Sequence, residues 1–324
     1  MIIRGPLIIN IDSPVLSFEE KKLLKNKIIG GVILFSHNHI DFNQTKNLIS
    51  DIKEIDETIL ICVDHEGGRV QRLIHGFELL PSFENISQDS NNKELSYEIG
   101  KKGSYDLLNV GVDINFSPVI DIYGSKNNAL LKDRTFGSSI NNTITLANEY
   151  IKATLLNKII PVLKHYPGHG VVTGDTHIEK CESQLKLDDL LDVHLKPFIE
   201  LYNKYNIPIM TSHIQLSNLD MNIITYSKYW LKEIPKKLFQ SKPFFISDDI
   251  EMKAALKKNN KSHNLLSALK SGCDMVIITT MQNDTVIKSK QSYEYFSKNY
   301  LTKEVIDYYE KIYNNNKINI SVIK

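Results

Sequence analysis

The run Lys164-His165-Tyr166-Pro167-Gly168-His169-Gly170, followed by Gly174-Asp175-Thr176-His177, places a lysine, three histidines and an aspartate directly after the strand-like stretch Ile159 to Leu163. Glycines let such a segment adopt backbone shapes that other residues resist, and imidazoles titrate near neutrality. A loop of this make-up can exchange protons with a ligand and can move. Two further apolar runs end in acids: Ile59 to Val63 leads into Asp64-His65-Glu66-Gly67-Gly68-Arg69, and Phe244 to Ser247 leads into Asp248-Asp249. Polar residues gathered at strand ends are what a parallel barrel presents at its active face.

The elements that must position these residues alternate along the chain. Strands are expected at Leu7 to Ile11, Gly31 to Phe35, Thr58 to Val63, Val112 to Ile122, Ile159 to Leu163, Ile207 to Met210, Pro243 to Ser247 and Met275 to Ile278. A helix follows each: from Ser17-Phe18-Glu19-Glu20, where Ser and Glu three apart form a capping-box pattern, then near Asn43 to Ile55, Lys93 to Asn109 after a polar excursion through Ser82 to Asn92, Thr143 to Asn157, Asp189 to Lys204, Tyr226 to Phe239, Lys261 to Ser271, and closing helices to about Asn314. Eight β-then-α units argue for parallel strands with crossover helices, closed into a TIM-type (β/α)8 barrel of the α/β class. The runner-up is an open doubly wound sheet, but no G-x-G-x-x-G follows the first strand.

At 324 residues the chain suits one barrel domain over residues 1–324, with insertions. Hydrophobic residues make up 42% and charged residues 24%, enough for a full core in an ordinary polar surface. The net charge is +1, and no basic stripe interleaved with aromatics occurs, so a nucleic-acid partner is not expected. The Lys- and Asn-rich stretch Lys257 to Lys261 reads as a solvated connection. Cys62, Cys181 and Cys273 have no C-x-x-C spacing and read as buried free thiols of a reducing compartment. Met1 to Ile11 lacks the sustained apolar core of a signal peptide, and no segment approaches the ~18 apolar residues of a membrane span. The expectation is a cytoplasmic monomer with no membrane partner.

In a barrel, the strand ends would bring together Asp64, Asp121, Lys164, His165, His213 and Asp248, with Arg69, Arg72, Arg134, Asp175 and His177 on adjoining loops. Carboxylates that accept from paired hydroxyls, beside Lys and Arg, form a pocket for a hydroxyl-rich ligand such as a sugar. Plainer readings stand beside this one. Asp64 can cap the turn before Gly67-Gly68. Asp249 is better placed as a helix N-cap than as a catalyst, which leaves Asp248 as the reactive member of that pair. His169 and His213 are as readily structural as substrate-binding. The histidines lack H-x-H or H-E-x-x-H spacing, which argues against a metal site. No G-K-[ST] follows Gly67-Gly68 to make a phosphate cradle. No G-x-S-x-G occurs, and Cys62 sits inside its strand, so neither a Ser nor a Cys nucleophile is indicated.

Five segments taken together carry a resemblance: V-D-H-E-G-G-R-V-Q-R from Val63 to Arg72, D-I-N-F-S-P-V-I-D from Asp113 to Asp121, D-R-T-F-G from Asp133 to Gly137, K-H-Y-P-G-H-G with D-T-H, and S-D-D-I-E-M-K-A-A from Ser247 to Ala255. With S-G-C-D at Ser271 to Asp274, and in this order over about Gly5 to Ile278, they resemble the bacterial β-N-acetylhexosaminidases of glycoside hydrolase family 3. The resemblance implies a single-domain TIM barrel that releases terminal N-acetylglucosamine with retention of configuration, in the cytoplasmic recycling of peptidoglycan. It implies no cofactor and no metal, and a small carbohydrate substrate, an N-acetylglucosaminyl muropeptide. It makes Asp248 the nucleophile and His177, oriented by Asp175, the general acid/base. It assigns sugar binding to Asp64, Arg72, Arg134, Lys164 and His165.

A retaining glycosidase needs an anionic oxygen to attack the anomeric carbon and a donor for the leaving oxygen; most use two carboxylic acids. Here a histidine near its ordinary pKa of about 6.5, beside an aspartate, would serve as acid and then as base. The 2-acetamido group is the other nucleophile that such a substrate offers; the resemblance favours Asp248. Since His177 lies on a loop with Gly168, Gly170 and Gly174, the acid is expected to reach the substrate after loop closure and to stand away without ligand. The chain departs from the family pattern at Thr176, where Ser is more usual, at His65, where Gln is frequent, and at Cys181-Glu182, where Leu-Pro is common. The competing functions are a β-glucosidase or an N-acetylglucosaminide phosphorylase of the same family, and a sugar-binding barrel without catalysis.

Overall fold

Short apolar runs rich in isoleucine, valine and leucine form the parallel strands, because branched side chains suit a pleated surface buried on both faces. The computed structural model describes residues 4–122, 130–256, 261–282, 285–286 and 289–310. Val276–Ile278, Leu7–Asn10, Ile29–Leu34, Leu60–Val63, Ile114–Asn115 and Ile160–Pro161 lie side by side in a six-stranded sheet, and Phe245–Ser247, Ile209–Thr211 and Leu163–Tyr166 in a three-stranded one. Every pairing within these two sheets is parallel.

Only Val162 separates Ile160–Pro161 from Leu163–Tyr166, so one run of chain serves both sheets. At their other edges Ile246 bridges to Met275; the Ser247 N–H donates to the Met275 carbonyl at 2.9 Å and the Ile250 N–H to the Ile277 carbonyl at 3.1 Å. Register pairs Leu34 with Val63 and Val63 with Asn115. Neighbouring strands therefore end level, and Phe35, Asp64 and Phe116 leave the sheet at one height. Side chains alternate between two apolar layers. Ile8, Ile33, Cys62, Val162, Met210 and Ile246 belong to an inner cluster, and Ile9, Val32, Ile61 and Val63 pack outward in the larger cluster that the helices cover.

The expected capping box is present: Ser17 and Glu20 exchange hydrogen bonds at the start of helix Phe18–Leu24. Helix Asn92–Val110 stops at Gly111, whose φ of 96° would strain any residue with a Cβ. Five regions differ from expectation. The polar excursion at Ser82 to Asn92 contains helix Phe83–Gln88, capped by Ser82, because Phe83 and Ile86, three apart, reach the core on one face. The strand expected over Val112 to Ile122 is regular only at Ile114–Asn115; Pro118 has no N–H to continue the ladder, and the chain keeps a single bridge from Val119 to Lys164.

The fifth strand runs on through Lys164 and His165 to Tyr166. The helices expected at Asp189 to Lys204 and Tyr226 to Phe239 each contain a wider turn, Leu190–His194 and Tyr229–Glu233, just before Pro197 and Pro235. A proline cannot donate to the carbonyl four residues back, which loosens the turn preceding it. Helices Ser289–Asn299 and Lys303–Tyr309 follow the last parallel strand. The expected end at Asn314 and the residues 257–260 lie outside the described residues.

All three cysteines are buried and free. No described helix is long and apolar enough to cross a membrane.

Candidate active site

The level strand ends open into a cavity of about 1050 Å³. Asp64, Arg72, Arg134, Lys164, His165, His177 and Asp248 all line it, and Asp175, the remaining residue to which the resemblance gives a role, holds His177 from behind.

On one wall a charge network is built around two acids. Asp64, one residue past strand Leu60–Val63, accepts Lys164 Nζ at 2.8 Å and stands 3.7 Å from Arg72 Nη2. Its neighbour but one, Glu66, accepts Arg134 through two parallel bonds, Nε at 2.8 Å and Nη2 at 2.7 Å, and lies 2.6 Å from Lys164 Nζ. Burial by itself would raise both carboxyls. Lys164 and Arg72 outweigh it at Asp64, and Arg134 with Lys164 does so at Glu66, which falls to about 2. The Arg72 guanidinium also lies over the Phe35 ring at 5.6 Å, a cation–π contact. Both acids of the wall are thus ionised, and every member is held by at least one partner.

Gly67 and Gly68 turn the chain back so that Val70–Gln71 pairs antiparallel with His65–Gly67, which brings Arg72 beside Asp64. Both have positive φ, and a Cβ on Gly67 would stand 2.4 Å from the Pro81 carbonyl oxygen. They serve a tight turn, and the Asp64 carboxylate lines the cavity and accepts Lys164.

His165 donates Nδ1–H to the fully buried Asp121 at 2.7 Å, which leaves Nε2 free of that bond. Asp121 also accepts the His169 N–H at 2.6 Å, and burial, which would raise it, is overcome chiefly by His165, so that it stays ionised. His169 bonds Thr176 Oγ1 at 3.2 Å, and burial lowers its pKa to about 4. His213 does not reach the cavity. Its Nε2 donates to the Asp249 carbonyl and its Nδ1 meets Thr225 Oγ1, both at 2.9 Å. It braces the Asp248-Asp249 turn from below, the structural alternative.

Asp248 follows strand Phe245–Ser247, with its N–H bonded to the Thr211 carbonyl at 3.2 Å. Burial would raise this carboxyl, but His213, His165 and His177 outweigh it and keep it below its usual range. Asp249 behaves differently. It accepts Thr279 Oγ1 at 2.6 Å and the Glu251 N–H at 3.0 Å, and burial pushes it up to about 6. It caps a turn and ties that turn to the end of strand Val276–Ile278, instead of opening a helix as its N-cap.

On the loop, one oxygen of Asp175 accepts both the backbone N–H of His177 at 2.9 Å and its Nδ1–H at 2.7 Å. This clamps the ring with Nε2 outward on a side chain that is 55% exposed. The loop is tied to the segment after Asp248 by an Ala254 N–H to Thr176 carbonyl bond of 3.1 Å. Of the departures from the family pattern, Thr176 keeps a hydroxyl on His169, and His65 is buried with neither ring nitrogen bonded.

Sequence reasoning left Glu66 and Thr279 without roles. Glu66 stands in the quoted motif, but Lys164 and Arg134, the cations that require a second acid besides Asp64, meet it only in the fold. Among the described residues no cluster of three His, Cys, Asp or Glu side chains is placed to hold a metal ion. Burial raises the thiols of Cys62 and Cys273 and brings that of Cys181 to about 11, so none is a thiolate at neutral pH.

The family model described as the glycosyl hydrolase family 3 N terminal domain matches residues 9–310. The chain belongs to glycoside hydrolase family 3. As a family 3 member it is a glycoside hydrolase, as its motifs led one to expect. It is 33% identical over 307 residues to the "Beta-hexosaminidase" of Psychromonas ingrahamii, covering 91% of this chain and 90% of that protein. It is 32% identical over 277 residues to the "Beta-hexosaminidase" of Haemophilus influenzae strain PittEE, covering 84% and 79%. Among solved structures, native NagZ from Neisseria gonorrhoeae superposes with a TM-score of 0.82 at 27% identity, over 99% of this chain and 93% of that one. The same enzyme in complex with N-trifluoroacetyl-D-glucosamine gives 0.81, also at 27% identity, with 99% and 93% covered. The family 3 fold thus extends over nearly the whole chain.

Proposed function

We propose that this glycoside hydrolase is a retaining exo-β-N-acetylglucosaminidase that releases terminal N-acetylglucosamine from peptidoglycan-derived muropeptides by way of a glycosyl-Asp248 intermediate. The observation that carries the reading is the shared cavity: a half-buried carboxylate kept ionised, Asp248, and an imidazole clamped by an aspartate, His177, line one space together with the charged wall of Asp64, Arg72, Arg134 and Lys164.

The chemistry follows from those groups. Asp248 attacks the anomeric carbon as the bond from that carbon to the leaving oxygen breaks. His177, whose Nδ1–H is held by Asp175, gives its Nε2 proton to that oxygen. Neutral His177 then takes a proton from water, the water oxygen attacks the same carbon from the vacated face, and Asp248 leaves as carboxylate. Two displacements at one carbon retain configuration. The ionised wall offers donors and acceptors to the sugar hydroxyls, with His165 Nε2 beside them.

The two parallel sheets are read as one closed (β/α)8 barrel forming a single domain. The run through Val162, the bridge from Ile246 to Met275 and the inner apolar cluster drawn from strands of both sheets support it. Work on a small muropeptide by a monomer in the cytoplasm, in peptidoglycan recycling, belongs to the same proposal. Following hydrolysis of an aryl N-acetyl-β-glucosaminide by proton NMR tests it: the β-anomer of free N-acetylglucosamine should appear first. First appearance of the α-anomer, or of a sugar phosphate in phosphate buffer, would reject it.

A further inference from the structure

Taking the reading above as given, the acid fixes which side of the cavity faces the leaving group, because His177 must reach the glycosidic oxygen. Residues beside His177 therefore flank the aglycone, while Asp64, Arg72 and Lys164 lie about the sugar ring. Immediately after His177, Ile178 lines the cavity with 63% of its surface exposed. Leu256, 41% exposed, and the buried Met252 line the same cavity from the segment after Asp248. The bond from the Ala254 N–H to the Thr176 carbonyl, 3.1 Å long, keeps the two segments together.

Elsewhere the apolar lining, Ile33, Phe116, Met210 and Ile277 among it, is mostly buried in the floor of the cavity, and the polar lining is mostly charged. The charged groups of this lip are Glu251, already engaged by Lys261, Tyr295 and Tyr300, and Lys253, which lines the cavity between Met252 and Leu256 in the chain. Exposed large aliphatic side chains at the mouth of a charged pocket leave apolar surface in water that a ligand would cover.

We propose that Ile178, Met252 and Leu256 form a leaving-group subsite for an aglycone with an apolar face, such as an aryl ring or the C–H face of a second sugar. The sugar wall then sets which ring is cleaved, and this lip sets what the ring is cleaved from. The lip includes a residue of the acid-bearing loop, so an apolar aglycone also favours the loop position that brings His177 to the bond.

The test measures binding, apart from turnover. The affinities of methyl and phenyl 1-thio-N-acetyl-β-glucosaminide, both resistant to hydrolysis, are measured by calorimetry for the wild type and for Ile178→Ser with Leu256→Ser. The wild type should bind the phenyl compound about tenfold more tightly than the methyl one, as burial of roughly one face of the ring implies. In the double variant this advantage should fall to about twofold or less, with the methyl compound bound as before. If the double variant loses the methyl compound, Ile178→Ala and Leu256→Ala singly carry the same comparison. A phenyl advantage that is absent in the wild type, or that survives the substitutions, overturns the subsite. Failure of the wild type to bind either compound overturns the reading of the site itself.

Discussion

Glu66 accepts Arg134 through two parallel hydrogen bonds of 2.8 and 2.7 Å. Both side chains are almost wholly withdrawn from water, at 1% and 10% exposure. Their pairing links the turn after the third parallel strand to a loop 68 residues further on, and Lys164 joins it on the same acid. The wall that would meet the sugar is therefore set before any ligand arrives.

Removing the Glu66 charge should have two effects. Glu66→Gln leaves two buried cations short of an anion, and breaking such a pair costs about 3–5 kcal/mol. A lower urea midpoint at unchanged m-value reads this. Because Arg134 and Lys164 lose their common anchor, KM for an aryl N-acetylglucosaminide should rise by about tenfold, with a smaller change in kcat. An unaltered midpoint would show that the network is not held by Glu66.

Asp248→Ala should abolish turnover of an activated aryl N-acetylglucosaminide, by about a thousandfold or more, while the far-ultraviolet circular dichroism stays that of the wild type. Near-normal rates would remove Asp248 from the role of nucleophile.

For His177→Ala the loss should depend on the leaving group. A well-placed acid contributes about 10²- to 10⁴-fold where the leaving oxygen needs its proton. Hydrolysis of an alkyl glycoside or a disaccharide should fall by that much, and that of a dinitrophenyl glycoside only slightly. Equal losses on both would take the acid role away from this residue.

Much of this was legible in the sequence. The acids Asp64 and Asp248 stand directly after apolar runs, Ser17 and Glu20 have capping-box spacing, and the D-T-H segment already pairs Asp175 with His177. Glu66 was not legible as an anchor, because its partners Lys164 and Arg134 are remote in the chain and only the fold brings them together. His213 remained ambiguous for the same reason: whether it meets substrate or the Asp249 carbonyl depends on the depth at which the strand ends. The break in the expected strand at Val112 to Ile122 was written in Pro118, but a hydrophobic pattern counts side chains and overlooks a missing N–H.

His65 makes an acid-stability prediction. Burial lowers its pKa from the ordinary value near 6.5 to about 3. The folded chain holds it neutral, whereas the unfolded chain takes up a proton below about pH 6.5. Its contribution to stability is therefore complete above that pH and is lost as the pH falls toward 3. Within the window one proton corresponds to about 1.4 kcal/mol per pH unit. His65→Gln should flatten the decline in unfolding free energy between pH 6 and 4 by about that slope. Parallel curves for the two proteins would mean that His65 can be protonated in the fold.

The most direct test of the reaction is to trap its intermediate. The enzyme is incubated with a fluorinated N-acetylglucosaminyl donor whose slow second step lets a covalent species accumulate, and the protein is then mapped by mass spectrometry. An ester on the peptide containing Asp248, absent from Asp248→Asn, is the predicted result. Turnover of the donor with no labelled peptide, or a label on any other side chain, would contradict it.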